Sequence, residues 1–457
     1  MEHLDIFSLA NFGLNLVEKK SSNLKCAEIF FNKNKYINIE VEENSLKNSE
    51  TGEDIGVSIR VINNKGSLGF AFTNRLDKKS IEFIVKLAIK MMNVGTPNPD
   101  FINLPSKFKK YPDVKQLFDD DLKNLPLEDS LGYAKELIKI CADDDLAISQ
   151  SANFSSSYVK TYIFNSNNLV ISGKETNCTL YSEIIIKDKV TKEMSSGSDF
   201  QSERMLKNIN VKMIGRKALN DAKKNLNRIK IKSMKCPLIL TPRGTISLIL
   251  KPIAAAVNGE TFQYKRCFLF DKRDEILGSE YLNIEDNGLI DGAVGSSKFD
   301  GEGVPCKNKK IFQKGKFLKN GLLHNSFTAG KEGVESTGNA SRNSYSSIPS
   351  IGITNFIMKQ GDISFEEIVK DTKKGIILDY TGDSPNISTG DFSGLILHGN
   401  LIEDGQVKQA LNETMIGINL LDLFKKIEMV SKQYRVYGSL QAPYVKIETA
   451  SIVGGAN

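Results

Sequence analysis

The sequence predicts an α+β protein, with N-terminal helix-on-antiparallel-sheet units followed by a mostly antiparallel β C-terminal domain. Three observations carry this reading. Residues 36–41 alternate Tyr36, Asn38, Glu40 against Ile37, Ile39, Val41, the period of a half-buried strand. Ser80 to Met92 repeats apolar residues at the three-to-four spacing of one helical face. From Cys236 onward, short apolar segments are divided by Gly-rich turns. A chain of 457 residues exceeds one compact core, and three domains are expected: 1–100, 101–232 and 233–457.

The first unit reads helix, strand, strand, strand, helix. Its opening MEHLDIFSLANFGLNLVEKK lacks the basic-then-apolar order of a secretory signal and reads as an ordinary first helix. Two strands in GVSIRVINNKGSLGFAFTN meet at a turn over Asn63–Gly66, where Asn and Gly tolerate positive φ. The Pro-containing stretch 95–113 then breaks the periodicity and marks a boundary. In the second unit a helix is expected around Leu127–Asp143, strands near Ala152–Phe164 and Leu169–Lys187 about the NSNN turn, and a helix at Arg204–Leu226. The last unit should form short strands in CPLILTPRG, KNKKIFQKGKFL, SGLILHGNLIEDGQV and APYVKIETASIV.

Composition excludes several classes. The formal charge of +6 comes from 61 basic and 55 acidic residues spread along the chain, without the clustering of a nucleic-acid face. The densest basic run, Lys230–Lys235, reads as a solvated linker. No apolar run reaches membrane-span length. The six cysteines are widely spaced with no C-x-x-C pair, which fits reduced thiols in a cytoplasmic protein.

Enzyme signatures are missing. The three histidines, His3, His324 and His398, make no HExxH-like helix, and His398 in LILHGN reads as a satisfied core or turn residue. No phosphate loop, dinucleotide turn or nucleophile elbow occurs. Two Gly-rich turns, STGNASRN (336–343) and STGDFSG (388–394), have the backbone amides to meet an anion, although turn geometry alone accounts for their Gly and Asn.

Residues 244–289 and 296–342 resemble the C-terminal domain of the TldD/PmbA family. The shared elements occur in family order: a helix leading to a G-x-x-F turn (Gly259 to Phe262), FDGEGVP, a hairpin, STGNA and a late STGDFSG. GVSIRVINNKGSLGFAFTN is similar to the family's first domain, so the resemblance covers nearly the whole chain. TldD-type members carry His-Glu-x-x-x-His on the helix before the turn and a cysteine near the C-terminus, together implying a zinc-type site for peptide hydrolysis. Here Lys251, Pro252 and Ala256 occupy the motif positions, and VYGSLQAPYVKIETASIVGG has no cysteine. A lysine in the first ligand position also repels a cation.

The resemblance therefore implies a TldE/PmbA-type chain, the metal-free subunit of a TldD/TldE-type metalloprotease complex acting on unfolded peptides. It implies no catalytic or metal residue and no cofactor in this chain, with zinc in a TldD-like partner. Microcin maturation and antitoxin turnover are implied for the pair, whereas the old family label, modulator of DNA gyrase, reflects a genetic connection. Candidate contacts to substrate or partner are Asn258, Gly259, Ser336, Gly338, Asn339, Thr389, Gly390 and Asp391. The alternative is a homodimeric, non-catalytic peptide-binding or scaffold protein of the same fold.

Overall fold

A computed structural model describes residues 5–455; His3 and the first four positions of the expected opening helix lie outside the described residues. Helix α1 (Ile6–Lys20) buries Leu9, Ala10, Gly13 and Val17, the three-to-four stripe of its sequence. Three antiparallel strands follow: β1 (Leu24–Glu42), β2 (Ser45–Asn63) and β3 (Leu68–Thr73). The β2–β3 turn is built as expected. The Asn63 side chain accepts from the Lys65 and Ser67 amides, and Gly66 takes φ +78°. Helix α2 (Lys78–Val94) starts where the Asp77 carboxylate accepts from Ser80 N.

Beyond the Pro-containing stretch lie α3 (Asp120–Lys123), α4 (Leu127–Ala142), β4 (Ala147–Asn165), β5 (Val170–Lys187), β6 (Met194–Glu203) and α5 (Val211–Lys224). The helix expected from Arg204 begins instead at Val211, preceded by a single 3-10 turn over Leu206–Asn208. Asn210 caps α5 by accepting from Met213 N, and the preceding SSGSDFQSE forms β6. Under α5 that strand buries Ser195, Gly197 and Asp199. A Cβ on Gly197 would lie 2.2 Å from Ala218 O, so the close approach of helix and strand requires glycine there.

The six strands form one sheet in the order β3-β2-β1-β4-β5-β6, because β4 pairs with β1 from Glu28↔Asn165 to Val41↔Ala152. All helices lie on one face. α1 and α2 cover one end through Ile29, Ile59, Val61, Ile81 and Val85. α4 and α5 cover the other through Ile37, Ile39, Phe154, Leu180, Leu137 and Ile214.

The C-terminal unit is a twelve-stranded sheet wrapped around the largest core. It contains β7 (Met234–Leu240), β8 (Ile284–Asn287), β9 (Asn308–Gln313), β10 (Lys316–Phe317), β11 (Ala340–Ser341), β12 (Ser350–Ile351), β13 (Phe356–Met358), β14 (Lys374–Tyr380), β15 (Asp391–Leu395), β16 (His398–Glu403), β17 (Gln406–Ala410), β18 (Met415–Asn419), β19 (Ile427–Tyr437) and β20 (Leu440–Val453), of which β11 and β12 pair apart. Pairing is mostly antiparallel, with β13·β20 and β7·β14 parallel. A helical passage from Pro242 to Ala256 runs through the core. Thr241 caps it with Pro242 at its first turn, a π turn spans Ile246–Leu250, and Leu248, Ile249, Leu250 and Ile253 are fully buried.

A buried ionic group joins the two units. Arg60 of β2 donates to Glu28 of β1 at 3.0 Å and to Glu302 at 2.8 Å, and Glu28 also accepts from Arg342. Both Glu302 and Arg342 belong to loops of the C-terminal unit. Glu302 further accepts from the Ser326 amide and hydroxyl at 2.8 and 2.6 Å. All four charged side chains are at most 2% exposed, so each charge requires its partner.

Candidate functional site

The sheet face opposite the helices is polar. Pairing aligns Glu50, Asn38, Ser155, Thr179 and Ser202 across five strands. The next row holds Asn48, Glu40, Asn153, Tyr181 and Phe200. Apart from exposed Asn48 and Glu50 on the outer strand, both rows are half-buried. The polar groups knit together: Tyr36 OH donates to Glu50 at 2.8 Å, Asn153 to Asn38 at 2.7 Å, and Tyr181 OH to Glu183 at 3.1 Å. Burial, and then the Glu183 carboxylate, push the Tyr181 phenol up to about 12.

At one end the C-terminal loops close over this face to form a groove of about 380 Å³. Asn32, Asn34, Thr161 and Glu175 form the sheet wall; Ser296, Asp300, Asn339 and Thr354 belong to the opposite wall. Its charges are largely occupied. Arg204 donates to Glu175 and to the carbonyls of Val294 and Ser296, and Arg342 to Gly301 O and Glu28. The Asp300 carboxyl accepts from the Glu302, Val304 and Ala340 amides, yet burial and then the Glu302 charge push it up to about 7. Asn34 Oδ1 and the Thr354 hydroxyl have no partner.

Of the eight sequence candidates, Gly259 and Ser336 contact His324, and Asn258, Gly338 and Asn339 lie on the same or neighbouring turns. Asn258 caps the short helix Gly259–Gln263, and Gly259 N donates to Leu323 O. A Cβ on Gly259 would meet the His324 ring at 2.6 Å. Ser336 donates to His324 O, Gly338 turns with φ +75°, and Asn339 donates to Asp286 and Gly352 O. Only Gly338 and Asn339 reach the groove wall. Thr389, Gly390 and Asp391 form a separate turn held by Asn419 and packed on Phe268. The residues that sequence reasoning missed are those of the polar face and the ionic group. The alternation at Tyr36–Val41 and the FDGEGVP segment were their only signals.

His398 departs from its expected role. It faces the Tyr380 ring at 5.7 Å, its Nδ1 is buried without a partner, and burial lowers its pKa against the pull of Asp379. A histidine at the start of an interior strand, near Asp379 and Arg243, is desolvated without being satisfied.

The vestigial motif positions do not form a donor set. Lys251 is exposed, whereas Pro252 and Ala256 are buried in the core. Residues Val436–Gln441 supply no sulfur or carboxylate. Among the described residues no group of three or more His, Cys, Asp or Glu is placed to hold a metal. A zinc ion does not fit these residues, so no hydrolytic step is assigned to this chain. The six cysteines are buried and unpaired, and no helix among the described residues is long and apolar enough to cross a membrane.

This fold, a helix-covered sheet clamped to a β-rich unit, is that of a metallopeptidase family. Residues 27–92, 120–226 and 233–454 match domain 1, the central domain and the C-terminal domain of the PmbA/TldA metallopeptidases. The chain belongs to the PmbA/TldD family. It is 27% identical to a metalloprotease of Methanocaldococcus jannaschii, covering 93% of each chain. It is 26% identical to a metalloprotease PmbA homolog of Buchnera aphidicola from Acyrthosiphon pisum, covering 98% of this chain and 99% of that one. The crystal structure of TldE from Thermococcus kodakarensis superposes with a TM-score of 0.84 at 24% identity, covering 98% and 99%.

Proposed function

We propose that this protein is the metal-free subunit of a TldD/TldE-type metalloprotease pair, holding unfolded peptides for a partner that carries the zinc. The observation that carries the reading is the loss of every donor at the family's metal positions: Lys251, Pro252 and Ala256 on the helix, and no cysteine in Val436–Gln441. Three protein ligands and an open position are what catalytic zinc requires. The cytoplasm is the proposed compartment, in keeping with six unpaired cysteines.

The TldD-like subunit is proposed to dock on the C-terminal unit. Leu395, Met415 and Val453 are 38–56% exposed and stand in register across β15, β18 and β20, an apolar row beside the unpaired edge of β15. Such rows favour burial against a partner. Two results are expected. The purified chain should hold no stoichiometric zinc by elemental analysis and cleave no unfolded peptide alone, while a TldD-like chain added to it should give chelator-sensitive cleavage. Met415→Lys should weaken that association about tenfold or more by light scattering. One tightly held zinc per chain with activity in isolation overturns the reading. A stable homodimer that ignores the TldD-like chain favours the scaffold alternative.

A further inference from the structure

We infer that the polar sheet face and the free edge beside it bind extended peptides bearing basic side chains at alternate positions. The inference deepens the proposed function and rests on its premise that the chain handles peptides.

Three observations converge. β3 pairs with β2 only from Val57 to Ile62, so the outer edge of β2 from Ser45 to Gly56 has no strand partner and leaves its backbone groups free. Tyr345 closes the far end of this edge, packing on Gly56 and donating to Asp54. A peptide added there runs toward the groove that Asp54 and Asn34 line. Successive same-face residues of an extended chain are about 7 Å apart, the repeat of the strand beneath, so alternate side chains of an added peptide continue the rows of the sheet face.

The unpaired charges along this side of the face are acidic. Glu50 and Asp54 flank the edge, with Glu40 one strand inward and Glu183 further across. Among the described residues none of these four is paired with a cation; their partners are the uncharged Tyr36, Tyr345, Asn38 and Tyr181. No lysine or arginine belongs to the two rows, although the chain carries a formal charge of +6. Arg243 stands beside Tyr181 and Glu183 at the far side of the sheet, so the single sign of charge belongs to the edge side with Glu40, Glu50 and Asp54, which concentrates the opposite charge. An acidic peptide would meet unscreened like charge, whereas a basic one neutralises it. The groove adds an independent mark of a ligand: Thr354, 8% exposed in its wall, has a hydroxyl with no partner in the protein.

Two fluorescein-labelled peptides of about 12 residues, one alternating Lys and Ser and one alternating Glu and Ser, test this against the full chain by fluorescence anisotropy. The basic peptide should bind about tenfold tighter at low salt, and the ratio should collapse in about 0.5 M salt. The triple variant Glu40→Gln, Glu50→Gln, Glu183→Gln keeps size and hydrogen bonding, and should bring the two affinities to within about twofold. Equal binding of both peptides, no binding of either, or a ratio unchanged in the triple variant overturns the inference. Failure of the subunit reading is separable. A chain that discriminates between the peptides but never supports cleavage by a TldD-like partner sinks that reading and leaves the face standing.

Discussion

Arg60→Met is expected to lower the unfolding free energy by about 3–5 kcal/mol, because it strands a charge in the interior. Glu28 keeps Arg342, but Glu302 is left with only the Ser326 amide and hydroxyl for its fully buried carboxylate. Burial alone raises the Glu302 pKa; Arg60 and Ser326 reverse that and hold it below the usual value. The same loss should appear as loosening of the two units, since Arg60 is the link between the β1–β2 hairpin and the Glu302 loop. Denaturant unfolding measures it, and the double variant Arg60→Met, Glu302→Gln should recover part of the loss by removing the orphaned charge. A loss below about 1 kcal/mol, or no recovery in the double variant, would show that water reaches the group and the clamp is weak.

The second large effect is a pH dependence. The Asp300 carboxyl titrates at about 7 in the folded chain, against 3.8 for an ordinary aspartate. Between those values the folded state binds the proton that the unfolded state has released. Its contribution is therefore present below pH 4 and lost as pH rises toward and through 7, with a slope approaching 1.4 kcal/mol per unit and a total on the order of 2–4 kcal/mol. Glu302 acts the other way in a lower window. Its depressed pKa gives stability present above its ordinary value of 4.5 and lost on further acidification. Asp300→Asn should offset the stability by a constant, since its amide cannot accept from Ala340 N, and should remove the slope between pH 4 and 7. Parallel stability curves for the two proteins over that range would refute this.

The sequence made the regular elements legible where burial is one-sided. Ile37, Ile39 and Val41 alternate because one face meets helices, and Ser80–Met92 repeats because one stripe meets the sheet. β6 was illegible because what it buries is Ser195, Gly197 and Asp199, small or polar residues that leave no apolar period. The pairing of β1 with β4 left no local trace either, since register across a gap is set by partners and not by neighbours. The ionic group is the extreme case. Its partners lie 32, 242 and 314 positions apart, and no spacing rule reaches that far. Of the site, the Gly-rich turns were visible as turns, but their hydrogen bonds mostly serve the wall around His324. The polar face was visible only as the silent half of each strand's alternation.

The central place of β1 also governs how the chain is made. Its inner edge stays open from the moment Glu28 leaves the ribosome until Asn165 follows, an interval on the order of ten seconds at about 5–20 residues per second. During that time a long strand carrying Phe30, Phe31, Ile37 and Ile39 has β2 on one side and nothing on the other. The nascent protein is thus most prone to pair with a neighbour early in synthesis, before Asn165 is made. Refolding from denaturant, which must close the same distant pairing, should be slow for a protein so rich in local hairpins.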